Sequence, residues 1–455
     1  MSGARGLGWA GIVRLGLVQT ALGAIVVLTT STLNRVMVVE LALPAIVPGA
    51  LVALHHLLQF LRPRLGHGSD VGGRRTPWIV GGMAVLAAGG VLAAVATAWM
   101  ATNRPAGLAL AVGAFTLIGL GVGAAGTTLL ALLARQVVPE RRAAAATVVW
   151  VMMIFGFIVT AGLAGRVLDP YSPLRLVAVA TGVCVLAFLL AALAVRGVET
   201  ERPVAGDAQG GRHAGFRIAL RQVWGEPRAR RFTIFVFVSM LAYSAQDLIL
   251  EPFAGLVFGL TPGESTRLSG LQNGGVLCGM VLVALLATGI GGPRLGSLRG
   301  WTIAGCIGSA LALASLALAA EAGPGWPLRG SVFALGLANG MFAVSAIGSM
   351  MALAGEGGAS DVGLRMGLWG AAQAIAFGAG GLLGTSASDL ARLVLGSAVA
   401  AYGTVFCIEA LLFVVAASLA VRAAGALDEE KHAPGPGVRP GGLGLVPPLE
   451  EGATR

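Results

Sequence analysis

The sequence predicts an all-α polytopic membrane protein, with about twelve transmembrane helices in a 6+6 bundle and both termini in the cytoplasm. Three observations carry that expectation. Of 455 residues, 56% are hydrophobic and only 11% charged, with a mean hydropathy of +0.84. A soluble domain carries about 25% charged residues, so the surplus apolar surface must face lipid. The apolar residues also fall into twelve runs of near-spanning length. Finally, with the N-terminus placed in the cytoplasm, 24 of the 31 Lys and Arg residues collect on that side, as the positive-inside rule requires.

The runs cover residues 12–33, 45–61, 77–100, 107–134, 144–165, 174–195, 232–257, 268–290, 301–320, 329–353, 364–386 and 393–421. A spanning helix needs about 20 residues, so the second run is short, and the tenth and eleventh are weakly separated. The first run has no small-residue cleavage site and is followed by many more, which excludes a removable signal peptide. One long polar connection, the basic linker 196–231, separates an N-terminal half (1–195) from a C-terminal half (232–422). From residue 423 the chain turns polar and then rich in Pro and Gly (HAPGPGVRPGGLGLVPP), a composition that predicts a disordered cytoplasmic tail. The 70 glycines suit helices that approach closely in lipid. The net charge of +10 sits in short loops beside apolar runs, which favours membrane lipids as partners and argues against nucleic acid.

Between the second and third runs lies Gly66-x-x-x-Asp70-x-x-Gly73-Arg74-Arg75. It resembles the gating-loop signature of the major facilitator superfamily, whose members share the 6+6 plan. Val71 stands where a basic residue is usual, and the matching loop of the second half (291–301) lacks the acid. Glycines permit the tight turn, and Asp70 is placed to meet a helix N-terminus or an arginine such as Arg135. A polar turn with stop-transfer arginines is the plainer reading.

Few residues could carry chemistry. Gly121-x-Gly123-x-x-Gly126 spells a dinucleotide fingerprint, yet it lies inside an apolar run without the strand or the acid that such a site needs. The four cysteines have no metal or redox spacing. No nucleophile–base pair or protein-bound metal set emerges, so neither enzyme nor nucleotide chemistry is expected. Ionisable groups inside spans are functional candidates because their burial is costly: Asp247 and Glu251 late in the seventh run, Glu409 in the twelfth, and Glu40 beside Arg35 past the first. His55 and His56 form the one histidine pair within a run, with Gln59 a turn after His55. An imidazole there could ligate the magnesium of a chlorin, although adjacent residues point about 100° apart. Simple interfacial polarity near the cytoplasmic end of a short span is the favoured reading of the trio.

Two stretches are more specific. T-L-N-R-V-M-V-V-E-L (32–41) and Q-D-L-I-L-E-P-F (246–253), the latter followed by T-P-G-E-S-T-R-L (261–268), resemble the bacteriochlorophyll delivery (PucC-like) family of the major facilitator superfamily. The short loop after the second run suggests the branch encoded near bacteriochlorophyll synthesis genes. The resemblance implies a non-enzymatic factor of the bacterial inner membrane. Its cargo would be bacteriochlorophyll or a late precursor, and its partners light-harvesting or reaction-centre polypeptides or a bacteriochlorophyll synthase. Asn34, Arg35, Glu40, Gln246, Asp247, Glu251 and Pro252 are then family-motif residues at periplasmic helix ends. They could fasten two helix ends together, or Asn34 or Glu251 could touch a pigment. Two other functions fit the same chain: an alternating-access transporter of a hydrophobic solute, and a pigment-free scaffold that docks a pigment-synthesis enzyme.

Overall fold

A computed structural model of the chain describes residues 7–61, 74–199, 224–286, 297–356 and 362–431. Twelve helices run through these residues, with no strand among them. They are α1 (Trp9–Glu40), α2 (Ile46–Leu58), α3 (Thr76–Trp99), α4 (Arg104–Gln136), α5 (Pro139–Val167) and α6 (Pro173–Val195), then α7 (Pro227–Phe258), α8 (Pro262–Leu285), α9 (Leu298–Ala322), α10 (Leu328–Glu356), α11 (Val362–Leu395) and α12 (Ala398–Lys431). Ten are long and apolar enough to cross a membrane; α2 is a shorter apolar helix of 13 residues. The protein is a multi-pass α-helical membrane protein, and its helices match the apolar runs one for one.

Local chemistry sets many of the starts. Proline occupies the first turn of α3, α4, α5, α6, α7 and α8, where a missing N–H costs nothing. Asn103, Ser172, Thr261 and Ser297 accept from backbone N–H groups as N-caps. Thr261 and Glu264 form a reciprocal capping box on α8. Gly259, at φ 69°, ends α7 in the left-handed conformation that glycine adopts without penalty.

The two halves repeat one wiring. In the first, α1 packs on α5 and α6, α3 on α4 and α6, and α2 on α4; in the second, α7 packs on α11 and α12, α9 on α10 and α12, and α8 on α10. Each half has its own apolar core, one running from Ile12 to Val198 with Leu248 added, the other from Phe232 to Ala420. The halves meet along α5–α8 and α2–α11, and at one end α1 reaches α7 and α8. That end, where α1 and α7 finish, is called the distal end below.

Small residues set the helix spacing. Gly275-x-x-x-Gly279 on α8 faces Gly336-x-x-x-Gly340 on α10. A Cβ at Gly336 would stand 2.0 Å from the Gln272 carbonyl oxygen, and one at Gly340 2.0 Å from that of Val276. Backbone lies on backbone, the packing that lipid-embedded helices favour. Gly121, from the G-x-G-x-x-G string, presses on the backbone of Leu86 in α3 in the same way.

Carboxylates fasten helix starts at three places. Glu199, just beyond α6, accepts from the backbone N–H groups of Arg75 (2.7 Å) and Thr76 (2.9 Å) and from the Thr76 hydroxyl at the start of α3. At the distal end, Asp389 of α11 accepts from the N–H groups of Ala45 (3.0 Å) and Ile46 (2.7 Å), which open α2. Asp169, after α5, accepts from the Gly263 N–H (3.1 Å) and the Thr261 hydroxyl (3.0 Å), which open α8. The last two caps cross between halves, one in each direction.

The structure corrects the expected end of the first helix. Instead of leaving the bilayer near residue 33, α1 continues through Glu40 by way of two wide π turns, Leu28–Thr32 and Val36–Glu40. Asn34 and Arg35 are therefore inside the bundle, 1% and 2% exposed. Hydrophobicity ended that run at the first polar residues; buried partners for those residues let the helix go on.

Candidate functional site

Stretch 32–41, the end of stretch 246–253 from Leu248 on, and the 261–268 run that follows it converge at the distal end into one buried polar junction between the halves. Its logic starts at Pro252, inside α7. Proline has no N–H, so the carbonyl four residues earlier loses its helical donor. That carbonyl belongs to Leu248, and the Asn34 side-chain amide of α1 donates to it at 2.6 Å. A gap in one half's helix is filled by a side chain from the other half.

Arg35 does similar work one residue on. Its guanidinium pairs with Glu40 at 2.5 Å and donates to the Leu260 carbonyl, past the end of α7, at 2.5 Å. A cation at a helix C-terminus also meets the negative end of the helix dipole. Gly255 makes room for it: a Cβ there would lie 3.0 Å from the Arg35 Nη2. Glu40 stays 32% exposed at the rim. Tyr171 of the α5–α6 connection lies beside it; burial, and then the Glu40 charge, push its phenol up from its ordinary value.

Below the arginine, hydroxyls line the seam. Ser31 bonds Ser269 at 2.9 Å and Thr32 bonds Thr266 at 3.1 Å. Glu251, 1% exposed, accepts from Ser265 at 3.4 Å, and Ser31 and Ser269 flank the same carboxyl. These bonds tie α1, α7 and α8 together across the seam, although Asn34 Oδ1, Arg35 Nε and Glu251 Oε1 keep no hydrogen-bond partner. Arg267 closes the outer edge, donating to the Gly165 carbonyl at 3.0 Å and pairing with Asp169 at 3.6 Å.

The histidine group lies elsewhere, near the other end of α2. His55 is 4% exposed and its Nε2 stands 3.1 Å from the Gln59 amide nitrogen. His56 is half-buried and meets His55 edge-on at 4.6 Å. Across the α2–α11 seam, His56 faces Phe377 at 5.7 Å, and Phe377 faces Tyr243 of α7 at 5.8 Å. The structure therefore groups Asn34, Arg35, Glu40 and Glu251 in one place and His55, His56 and Gln59 in another. Gln246 and Asp247 join neither: Gln246 is fully buried within the second half, and Asp247 acts electrostatically on Tyr243 and Glu409. Of the loop signature, Gly66, Asp70 and Gly73 lie outside the described residues. Arg74 is exposed, while Arg75 is buried and donates to the Ala131 carbonyl at 3.5 Å. Among the described residues no group of three metal-ligating side chains occurs.

Sequence reasoning missed Asp169, Asp389 and the hydroxyl seam. Acids are scarce in this chain, 21 in all. An Asp beside a helix end was the available signal, but its partner lies more than 90 residues away in sequence.

Comparison with known proteins completes the picture. The family model described as "PUCC protein" matches residues 32–426. A Rhodobacter capsulatus protein named "Bacteriochlorophyll synthase 44.5 kDa chain" is 57% identical over 416 residues, covering 91% of this chain and 95% of that one. "Protein PucC" of the same organism is 32% identical, covering 90% and 91%. Among solved structures, a variant of the nucleoside transporter NupG superposes with a TM-score of 0.63 at 15% identity, covering 91% of this chain and 99% of that one. The peptide transporter POT in complex with sulfate gives 0.65 at 15%, covering 92% and 96%. At such identities the likeness shows the fold, a major-facilitator-type bundle.

Proposed function

Because the chain belongs to the PUCC protein family, we propose that it is a non-enzymatic factor of the bacterial inner membrane. It holds or delivers bacteriochlorophyll, or a late precursor, while light-harvesting or reaction-centre complexes are assembled. The observation that carries this reading is the junction. The two stretches that carry the family resemblance, with the 261–268 run that follows, fasten α1 to α7 and α8 through Asn34, Arg35 and the Thr32–Thr266 pair, with the Ser31–Ser269 pair beside them. The distal end is then the periplasmic face, as the arginine distribution expects. The relative named for a synthase supports an association with pigment synthesis; in this reading the chain is the membrane partner of such an enzyme.

Cargo contact falls to the other cluster. The His56 imidazole is of the kind that ligates magnesium, and Phe377 and Tyr243 offer flat faces beside it on which a macrocycle could stack. His55, held against Gln59 and closed in by α4, is a positioning residue for its neighbour. Asn34 and Glu251 are structural in this reading, since the Asn34 amide nitrogen and the Glu251 Oε2 are engaged in the junction.

The test is colour. Protein purified from a phototroph in mild detergent should carry a chlorin absorption band, and His56→Leu should lose it while keeping its melting temperature. A colourless wild-type preparation that brings down neither antenna polypeptides nor a pigment-synthesis enzyme would sink the proposal. Colourless protein that still crosslinks to such an enzyme would favour the pigment-free scaffold. The likeness in fold to transporters keeps a second reading, export of a hydrophobic solute. Proteoliposome flux that depends on protons and stops with Asp70→Asn would put that reading first.

A further inference from the structure

The core of the second half contains polar atoms that nothing above uses. Gln246 on α7 is fully buried with neither end of its amide hydrogen-bonded. Asn339 on α10, also fully buried, accepts from Ser309 of α9 at 2.8 Å, but its Nδ2 has no partner. Glu409 on α12 is 2% exposed, and both carboxyl oxygens lack partners.

Aromatic contacts bracket these residues along their helices. On the distal side, Phe253 packs on Phe406 (4.9 Å) and Tyr402 (5.6 Å). On the other side, Phe342 packs on Phe235 and Phe413, at 6.2 Å each. Gln246 lies between Phe253 and Phe235 along α7, two turns from Phe253 on the same helix face. Glu409 lies between Phe406 and Phe413 along α12, and Asn339 is one turn on the distal side of Phe342. Each of the three buried polar side chains thus lies beside or between members of the two aromatic clusters. Asp247 is close enough to act on Glu409 electrostatically. In the first half, by contrast, Gly90 packs against Ile25 and the Cys184 sulfur.

Glu409 and Gln246, wholly unpartnered, and the free Asn339 Nδ2 leave acceptors and donors that a small ligand able to donate and accept would satisfy. An ionised carboxylate without a hydrogen bond is far costlier in such a place than a neutral acid. We propose that these side chains form a proton-binding site, with Glu409 carrying the proton as a carboxylic acid and water bridging it to Gln246 and Asn339. Among the described residues, the charge that acts on Glu409 is that of Asp247. The titratable neighbours are Asp247 and Tyr243 on α7, Cys306 on α9 and, about two turns along α12, Tyr402 with Asp389 and Arg392 of α11 near it. The site does not rest on pigment binding. It would let a protein of this fold register pH through α7, the helix that also carries Glu251 and Pro252.

Infrared spectroscopy of the purified, pigment-free chain in detergent, titrated through neutral pH, tests this. Wild type should show the carbonyl stretch of a protonated acid at pH 7, shifted in deuterated water. Glu409→Gln, which keeps the shape, should remove one component of that band, and Asp247→Asn should leave the Glu409 component in place at a shifted frequency. A hydrophobic carbodiimide, which attacks protonated carboxyls, should label wild-type Glu409 in preference to exposed Glu321, so the answer does not hang on a variant that folds. A band unchanged by Glu409→Gln, or no band together with unlabelled Glu409, would overturn the proposal.

Discussion

At the residue scale, the pairing of Asn34 with the carbonyl freed by Pro252 makes a sharp prediction. Asn34→Leu leaves the Leu248 carbonyl buried without a donor and should cost about 1–3 kcal/mol, read as a lowered melting temperature in detergent. Pro252→Ala restores an N–H that can bond Leu248 within the helix. The double variant should therefore be more stable than Asn34→Leu alone; additive losses would mean that the two residues do not share that carbonyl. Both members of this pair stood out in the sequence as polar or helix-breaking residues in apolar runs. Their partnership did not, because a proline advertises a missing donor but not where the substitute comes from. Arg35 and Glu40 were legible as a local pair five residues apart, whereas the Arg35 bond to Leu260 came only with the fold. Glu409 was visible as an acid in an apolar run, but its neighbours were not, since Gln246 and Asn339 belong to other helices.

At the element scale, the twelve helices were readable because spans announce themselves by length and hydropathy. The end of α1 was not, because hydropathy treats a buried, partnered arginine as if it faced lipid. Helix packing leads to a second prediction. Gly340→Val on α10 drives a Cβ toward the Val276 carbonyl, and the helices must part to admit it. The variant should lose more than about 2 kcal/mol and accumulate poorly in membranes, as immunoblotting and thermal melts would report. The Glu199 cap supplies a third. Partial burial alone would raise its carboxyl, but the N–H groups of Arg75 and Thr76, the Thr76 hydroxyl and the Arg74 charge together hold it below its ordinary value. A lowered folded-state value means that the stabilisation is present above the unfolded-state value and disappears as pH falls through the folded one. Wild type should thus lose melting temperature in mild acid relative to Glu199→Gln, which lacks the charge at any pH. Parallel pH profiles would contradict this.

At the scale of the whole molecule, the halves are sealed at the distal end by the junction and by the two crossing caps of Asp169 and Asp389. Asp169→Asn with Asp389→Asn should loosen that end. A cysteine introduced by Ser31→Cys, shielded in the closed junction, should then react with a maleimide at least severalfold faster than in the chain that keeps both aspartates. Equal rates would show that the junction alone keeps the end shut. Cys278 and Cys407 are exposed and are replaced by serine in every variant compared, whereas Cys184 and Cys306 are buried. The 6+6 arrangement itself was foreseeable from the central basic linker, but the identity of the sealed end was not, because the two crossing caps join parts of the chain far apart in sequence.

Those two caps also bear on origin. Asp169 follows α5 and serves α8; Asp389 lies on α11 and serves α2. Shift each pair by six helices and one becomes the other. Reciprocal exchange of this kind is the signature of an isologous interface, in which the same patch is used twice about a twofold axis. The chain carries within itself the contact pattern of a homodimer. A half expressed alone would lack the acid that its partner lends, so the two halves are expected to complement one another only when co-expressed.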